Sequence, residues 1–237
     1  DYEGTVRRVA EIGYAGVETA GFPGTTPREA MRLFQELDLA VAGAHLALPV
    51  GDRKDEVLDT AFTLGPTRMV TSLGPEYFSS IDRIKKTCEE LNQASANAMA
   101  KGLAFGIHNH WWEFEPVDGE LPYQLLLEYL DRTIFWEVDV YWVKTAGVDP
   151  AEVLRALAKR VLLLHIKDGP AERDAPMVPV GEGTLDFHQI VEASEGCAEW
   201  LIVELDRAEM DMLEAAERSY RYLVDEGLGH GKHGKQG

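Results

Sequence analysis

Apolar positions along this chain follow two alternating periods. Short runs rich in β-branched and apolar residues, such as Val161-Leu162-Leu163-Leu164, alternate with longer stretches where apolar residues recur every three or four positions. The short runs predict strands over 16–20, 40–46, 68–73, 103–109, 134–140, 161–166 and 200–205. The longer stretches predict helices over 3–13, 27–37, 53–64, 79–101, 121–131, 149–159, 186–194 and 207–226. Thr26 and Pro27 open the second helix as N-cap and first helical residue. Strands recurring at about 25–40 residue intervals mark βα units rather than a solenoid repeat. Near-continuous apolar strands imply a parallel sheet covered on both faces.

This pattern predicts one α/β domain, a (β/α)8 TIM barrel over residues 1–228, with its first strand absent. The chain opens directly on helix 3–13, so strands 16–20 and 200–205 are expected to face each other with unpaired edges unless another segment or subunit fills the gap. An added upstream strand of roughly six residues is expected to raise both melting temperature and metal retention. Residues 229–237 are Gly-rich and polar and read as a disordered tail, so His230 and His233 are not taken as ligands.

Composition narrows the partners. The 237 residues carry a formal net charge of −18 with 45% hydrophobic content, enough for a large core but repulsive to nucleic acid and anionic lipid. No apolar run approaches the roughly 18 residues of a membrane span, and no signal peptide is evident. Cys88 lies in a helical segment, and both Cys88 and Cys197 read as reduced thiols. The expectation is a cytoplasmic protein acting on a small carbohydrate, with no nucleic-acid or membrane partner and a homo-oligomer left open.

Several of these strands end in an imidazole or a carboxylate, which is how a parallel barrel gathers a cation at its C-terminal face. Alternation puts Leu163, His165 and Lys167 on one face, Glu137 and Asp139 on another, and Ile202, Glu204 and Asp206 on a third. If the polar members face the axis, Asp139, His165 and Glu204 form one layer at the mouth, above Leu163, Ile202 and Glu137. Lone buried charges are costly, so these must be paired, metal-bound or catalytic; an ion-pair network with Lys167 is the rival reading. A fourth ligand falls among His108, Asn109, His110 and Glu113, where the fourth strand runs into its loop. An oxygen-rich set suits Mn²⁺ or Mg²⁺ better than a structural zinc, with Co²⁺ or Zn²⁺ as alternatives. His45, Glu18, His108, His110 and Lys167 are substrate-binding candidates, and Trp111, Trp112 and Trp142 could wall a sugar pocket. Gly181-Glu182-Gly183-Thr184-Leu185-Asp186 lacks a phosphate-loop lysine and reads as a turn into helix 186–194.

The ordered set Ile12-Gly13-Tyr14-Ala15-Gly16-Val17-Glu18, His108-Asn109-His110-Trp111-Trp112-Glu113-Phe114, Glu137-Val138-Asp139, His165-Ile166-Lys167-Asp168, Gly181-Glu182-Gly183-Thr184-Leu185-Asp186 and Val203-Glu204-Leu205-Asp206 resembles the xylose isomerase-like TIM-barrel superfamily, the sugar phosphate isomerase/epimerase family. The resemblance implies a metal set of Glu113, Asp139, His165 and Glu204. Many relatives carry a histidine where this chain has Trp142, a substrate-contact position. The family chemistry implies an isomerase or epimerase working through an enediolate, with Glu113 and Glu204 moving the proton. Alternatives are a lyase of the inosose dehydratase or 3-keto-glycoside eliminase/hydrolase type, or a catalytically silent sugar-binding relative. Apurinic endonuclease activity is disfavoured by the acidic chain.

Overall fold

The computed structural model describes residues 1–65 and 68–232. Seven parallel strands run in sequence order: β1 (Gly16–Thr19), β2 (Ala40–His45), β3 (Arg68–Ser72), β4 (Ala104–His108), β5 (Phe135–Asp139), β6 (Val161–Ile166) and β7 (Trp200–Val203). Each pairs in parallel with the next, giving a nearly closed α/β barrel. Among the described residues no ladder joins β1 to β7. Their edges instead flank a cavity of about 710 Å³ that runs from Glu18 and Glu204 at the top down to Tyr14 and Tyr220. The ring of Trp200 crosses this seam and lies where a side chain at Gly16 would stand, so Gly16 is required there.

The helices match the amphipathic stretches closely because their caps are local. Thr26 and Glu29 form a reciprocal capping box at α2 (Pro27–Glu36), satisfying two backbone donors of the first turn. Asp1, Ser80, Asp149 and Asp186 cap α1 (Tyr2–Ile12), α4 (Ile81–Met99), α7 (Pro150–Leu157) and α8 (Phe187–Ser194), each by one side-chain bond from a first-turn amide. The remaining expected helices are α3 (Lys54–Thr63) and α5 (Pro122–Tyr129). The last helix starts later than its pattern suggests: α9 spans Met212–Asp225, because Asp211 accepts from the amides of Leu213 and Glu214 and fixes the N-terminus there. Among the described residues no helix is long and apolar enough to cross a membrane.

One helix is absent from the sequence pattern. The strand expected over 134–140 stops at Asp139, whose carboxylate accepts from the Trp142 amide and starts α6 (Val140–Thr145). A single capping bond here overrides the β-preference of Val140. In the tail 229–237 the Gly229 amide donates to the Leu223 carbonyl and the Lys232 amide to the Gly13 carbonyl; 233–237 lie outside the described residues. Both cysteines are free thiols.

The main core lies between sheet and helix shell, around Met69, Ile84, Leu91, Leu126, Trp136 and Leu164. Inside the barrel, Val70, Phe135 and Leu163 form an apolar plug with Trp200 and Ile202 against it. The polar side chains stand above that plug, toward the strands' C-terminal ends.

Candidate active site

Two polar layers sit on the plug. The lower one centres on Glu137, which is fully buried. Its Oε2 lies 2.6 Å from His45 Nε2, 3.1 Å from His108 Nδ1 and 3.3 Å from His165 Nε2. Glu18 Oε2 approaches the same group, 2.7 Å from His165 Nε2 and 3.2 Å from His45 Nε2. Gly43 on β2 leaves the space that the Glu18 carboxylate fills. The sequence places Glu137 in an apolar layer with Leu163 and Ile202; the structure places it instead at the meeting point of three imidazoles.

The upper layer holds Asp139, Glu204, Lys167 and Asp206. Lys167 Nζ lies 3.1 Å from Asp139 Oδ2, 2.8 Å from Glu204 Oε2 and 2.9 Å from Asp206 Oδ2. His165 spans both layers, with Nδ1 2.7 Å from Glu204 Oε2. Asn109 clamps Asp139 from the side, accepting from its amide and donating to its carbonyl. Trp142 lies under the Lys167 ammonium, 5.3 Å from ring centre to Nζ.

The charges follow from these contacts. Burial disfavours the imidazolium forms of His45 and His165, but Glu137 outweighs it, pushing His45 up to about 10 and His165 well above its ordinary value. His108, buried beside the charged His165, is held well below the ordinary range and stays neutral. Burial would raise Glu137 and Glu204, yet their cationic neighbours hold both well below the carboxylate range. Lys167 is raised despite its burial by Asp139, Glu204 and Asp206. Burial and the Lys167 charge lower His110 to about 4.

Asp139, His165 and Glu204, expected to share a layer, do come together, and their ligand atoms lie within 4.8 Å of one another. A second group that could hold a metal ion is His45, His108, Glu137 and His165. Glu113 is in neither group. The loop after β4 curls into a 3₁₀ turn (Trp112–Phe114), and the Glu113 carboxylate accepts from the His110 amide at 2.8 Å. It lines a small space shared with Leu91, Leu126 and Trp136 against the helix shell. His110 stays near the mouth, stacked on Trp112 with ring centres 4.2 Å apart. Glu18, His45 and His108 lie in the lower layer, and Lys167 and Trp142 in the upper.

Three contributors were not assigned a role from the sequence. Glu137 and Asp206 carry the signal used for Asp139 and Glu204, a charge two positions along the same strand face. Asp168 carries no such signal. Asp168 accepts from the amides of Gly169, Gly181, Gly183, Thr184 and Leu185, tying down the long loop after β6.

Imidazoles and carboxylates converging at the strands' C-terminal ends stand on the face where parallel β/α barrels carry their active sites. The chain belongs to the xylose isomerase-like TIM barrel family, whose pattern it matches over residues 6–225. It is similar to a sugar phosphate isomerase/epimerase from Parabacteroides distasonis, with 25% identity, TM-score 0.81, and 96% of this chain and 89% of that one covered. L-ribulose 3-epimerase shares the fold at 16% identity and TM-score 0.71, covering 95% of this chain and 88% of its own. A probable 3-DHS dehydratase from Bacillus anthracis does so at 12% identity and TM-score 0.73, covering 94% and 93%. No curated protein matches the sequence.

Proposed function

We propose that the protein is a divalent-cation-dependent isomerase or epimerase of a small keto-sugar. The observation that carries this reading is the mouth group: Asp139, His165 and Glu204 converge beside a buried ammonium, and the Glu204 side chain remains 37% exposed. The donor set fits a divalent ion: Asp139, His165 and Glu204 each offer a ligand atom, all within 4.8 Å of one another, and the group stays open to solvent at Glu204. Two carboxylates and one imidazole favour Mn²⁺ or Mg²⁺ over a structural zinc. Such an ion, when bound, polarises a carbonyl and its neighbouring hydroxyl and so acidifies the carbon-bound proton between them.

The chain's own groups divide the remaining work. Lys167 supplies a fixed positive charge for the oxygen that gains negative charge as the enediolate forms. Glu204, held as an anion, orients Lys167 and His165. Neutral His110, carried on the loop after β4, is the base we assign, because the Glu113 carboxylate is buried and taken up by the His110 amide. Return of the proton from His110 to the adjacent carbon gives isomerisation. Delivery of a solvent proton to the same carbon from the β7 side, where Glu204 is 37% exposed, with His110 releasing its own proton to water, gives epimerisation. The seam cavity opens on Glu18, His45, His165 and Glu204, and its size suits a monosaccharide.

The test is exchange of carbon-bound hydrogen from D₂O into ketopentoses and ketohexoses with Mn²⁺ present. Wild type should exchange without losing a leaving group, and Glu204→Gln and His110→Asn should slow it by about 10²–10⁴-fold. Release of water or an aglycone would replace this reading with a lyase. Absence of exchange into every ketose offered would remove it.

A further inference from the structure

The lower layer carries a second arrangement that the mouth chemistry does not use. His45, His108 and Glu137 come from β2, β4 and β5, and His165 comes from β6. Their ligand atoms lie within 4.8 Å of one another, around a carboxylate with no exposed surface. Three imidazoles and a carboxylate form a nitrogen-rich set, the opposite of the oxygen-rich mouth.

We propose that His45, His108, Glu137 and His165 form a zinc-class cation site one layer below the mouth. The proposal goes beyond the isomerase reading and does not depend on it.

Three observations support it. First, the carboxylates there keep unpaired oxygens: Glu137 Oε1 and Glu18 Oε1 are buried without a hydrogen bond. Native interiors rarely leave such groups together without a partner. Second, one imidazole is already oriented from behind. Glu204 lies 2.7 Å from His165 Nδ1, leaving Nε2 for the lower site. A carboxylate on the far nitrogen is the usual arrangement behind a metal-bound histidine. Lys167 holds that carboxylate in place. Third, the site has a way in, since His45, His165 and Glu18 line the seam cavity.

The donor chemistry selects the ion. Three imidazole nitrogens with one carboxylate suit four-coordinate Zn²⁺ or Co²⁺ and disfavour Mg²⁺. Because His165 belongs to both groups, zinc below and an ion at the mouth compete for it.

The experiment strips the full chain with chelator, titrates it with Zn²⁺ and counts imidazoles around the bound ion by X-ray absorption. The expected result is one Zn²⁺ per chain with three imidazoles and oxygen in a four-coordinate shell. His45→Gln and Glu137→Gln should lose this uptake, and Glu204→Gln should weaken it about 10–100-fold through the loss of the group behind His165. An oxygen-dominated shell with a single imidazole would place the ion at the mouth and overturn the proposal while leaving the isomerase reading intact. Failure of wild type to take up any Zn²⁺ would overturn it as well, and Mn²⁺-dependent exchange would still test the mouth separately. The imidazole count is made on wild type, so it decides the matter even if a variant does not fold.

Discussion

The Lys167 ammonium lies 2.8 Å from the Glu204 carboxylate, and this pair is the hinge of the upper layer. Asp139 and Asp206 share the same ammonium, so one buried cation compensates three acidic strand ends. Lys167→Met should therefore destabilise the metal-free protein by about 3–5 kcal/mol, because removing one partner leaves buried charge uncompensated. Added Mn²⁺ should restore more stability to the variant than to wild type. Thermal melts with and without the ion check this, and a variant that melts with wild type would remove the compensating role of Lys167.

Asp168 works on the loop rather than on the charge cluster. Its carboxylate receives five backbone amides between Gly169 and Leu185. Asp168→Asn puts a donor where acceptors are needed, and should cost about 1–3 kcal/mol. Hydrogen exchange at Gly181, Gly183 and Thr184 should rise sharply while the strand amides stay protected. Unchanged exchange in that loop would show that it is held by other contacts.

Glu113 gives the chain a pH-dependent liability. Burial pushes its carboxyl up to about 8 from an unfolded value of 4.5, so the folded chain keeps a proton that the unfolded chain releases. Its contribution is complete below the unfolded value and is lost as pH rises through about 8. Glu113→Gln keeps the acceptor for the His110 amide and removes the titration. Urea midpoints of metal-free wild type should fall relative to this variant between pH 5 and pH 9. A difference that does not change with pH would contradict the assignment.

Thiol chemistry separates the two cysteines. Cys88 is buried in α4, and burial pushes its thiol up to about 11. The thiolate is the reacting form, so in the native protein at pH 8 an alkylating reagent should modify Cys197 first and reach Cys88 only after unfolding. Peptide mapping of the labelled protein checks the order. Prompt native labelling of Cys88 would mean that α4 opens locally.

The sequence by itself determined the strands, most helices and the shared face of His165 with Lys167 and of Glu204 with Asp206. These are local consequences of period-two alternation, apolar runs and capping residues, which act over a few positions. It also brought Asp139, His165 and Glu204 to one level, because they close neighbouring strands. Only the tertiary structure decided what crosses the barrel. That Glu137 meets His45 from β2, His108 from β4 and His165 from β6 depends on strand register, and that Glu18 joins them depends on the space left by Gly43; neither is written in any one strand. The direction of Glu113 was likewise beyond alternation, because it lies on a 3₁₀ turn where the strand period no longer applies. The end of β5 turned on one side-chain bond, Asp139 to the Trp142 amide, outweighing the strand preference of the residues between them. Periodicity says which way a strand residue points; the barrel's register and the bonds at its mouth decide what that residue meets.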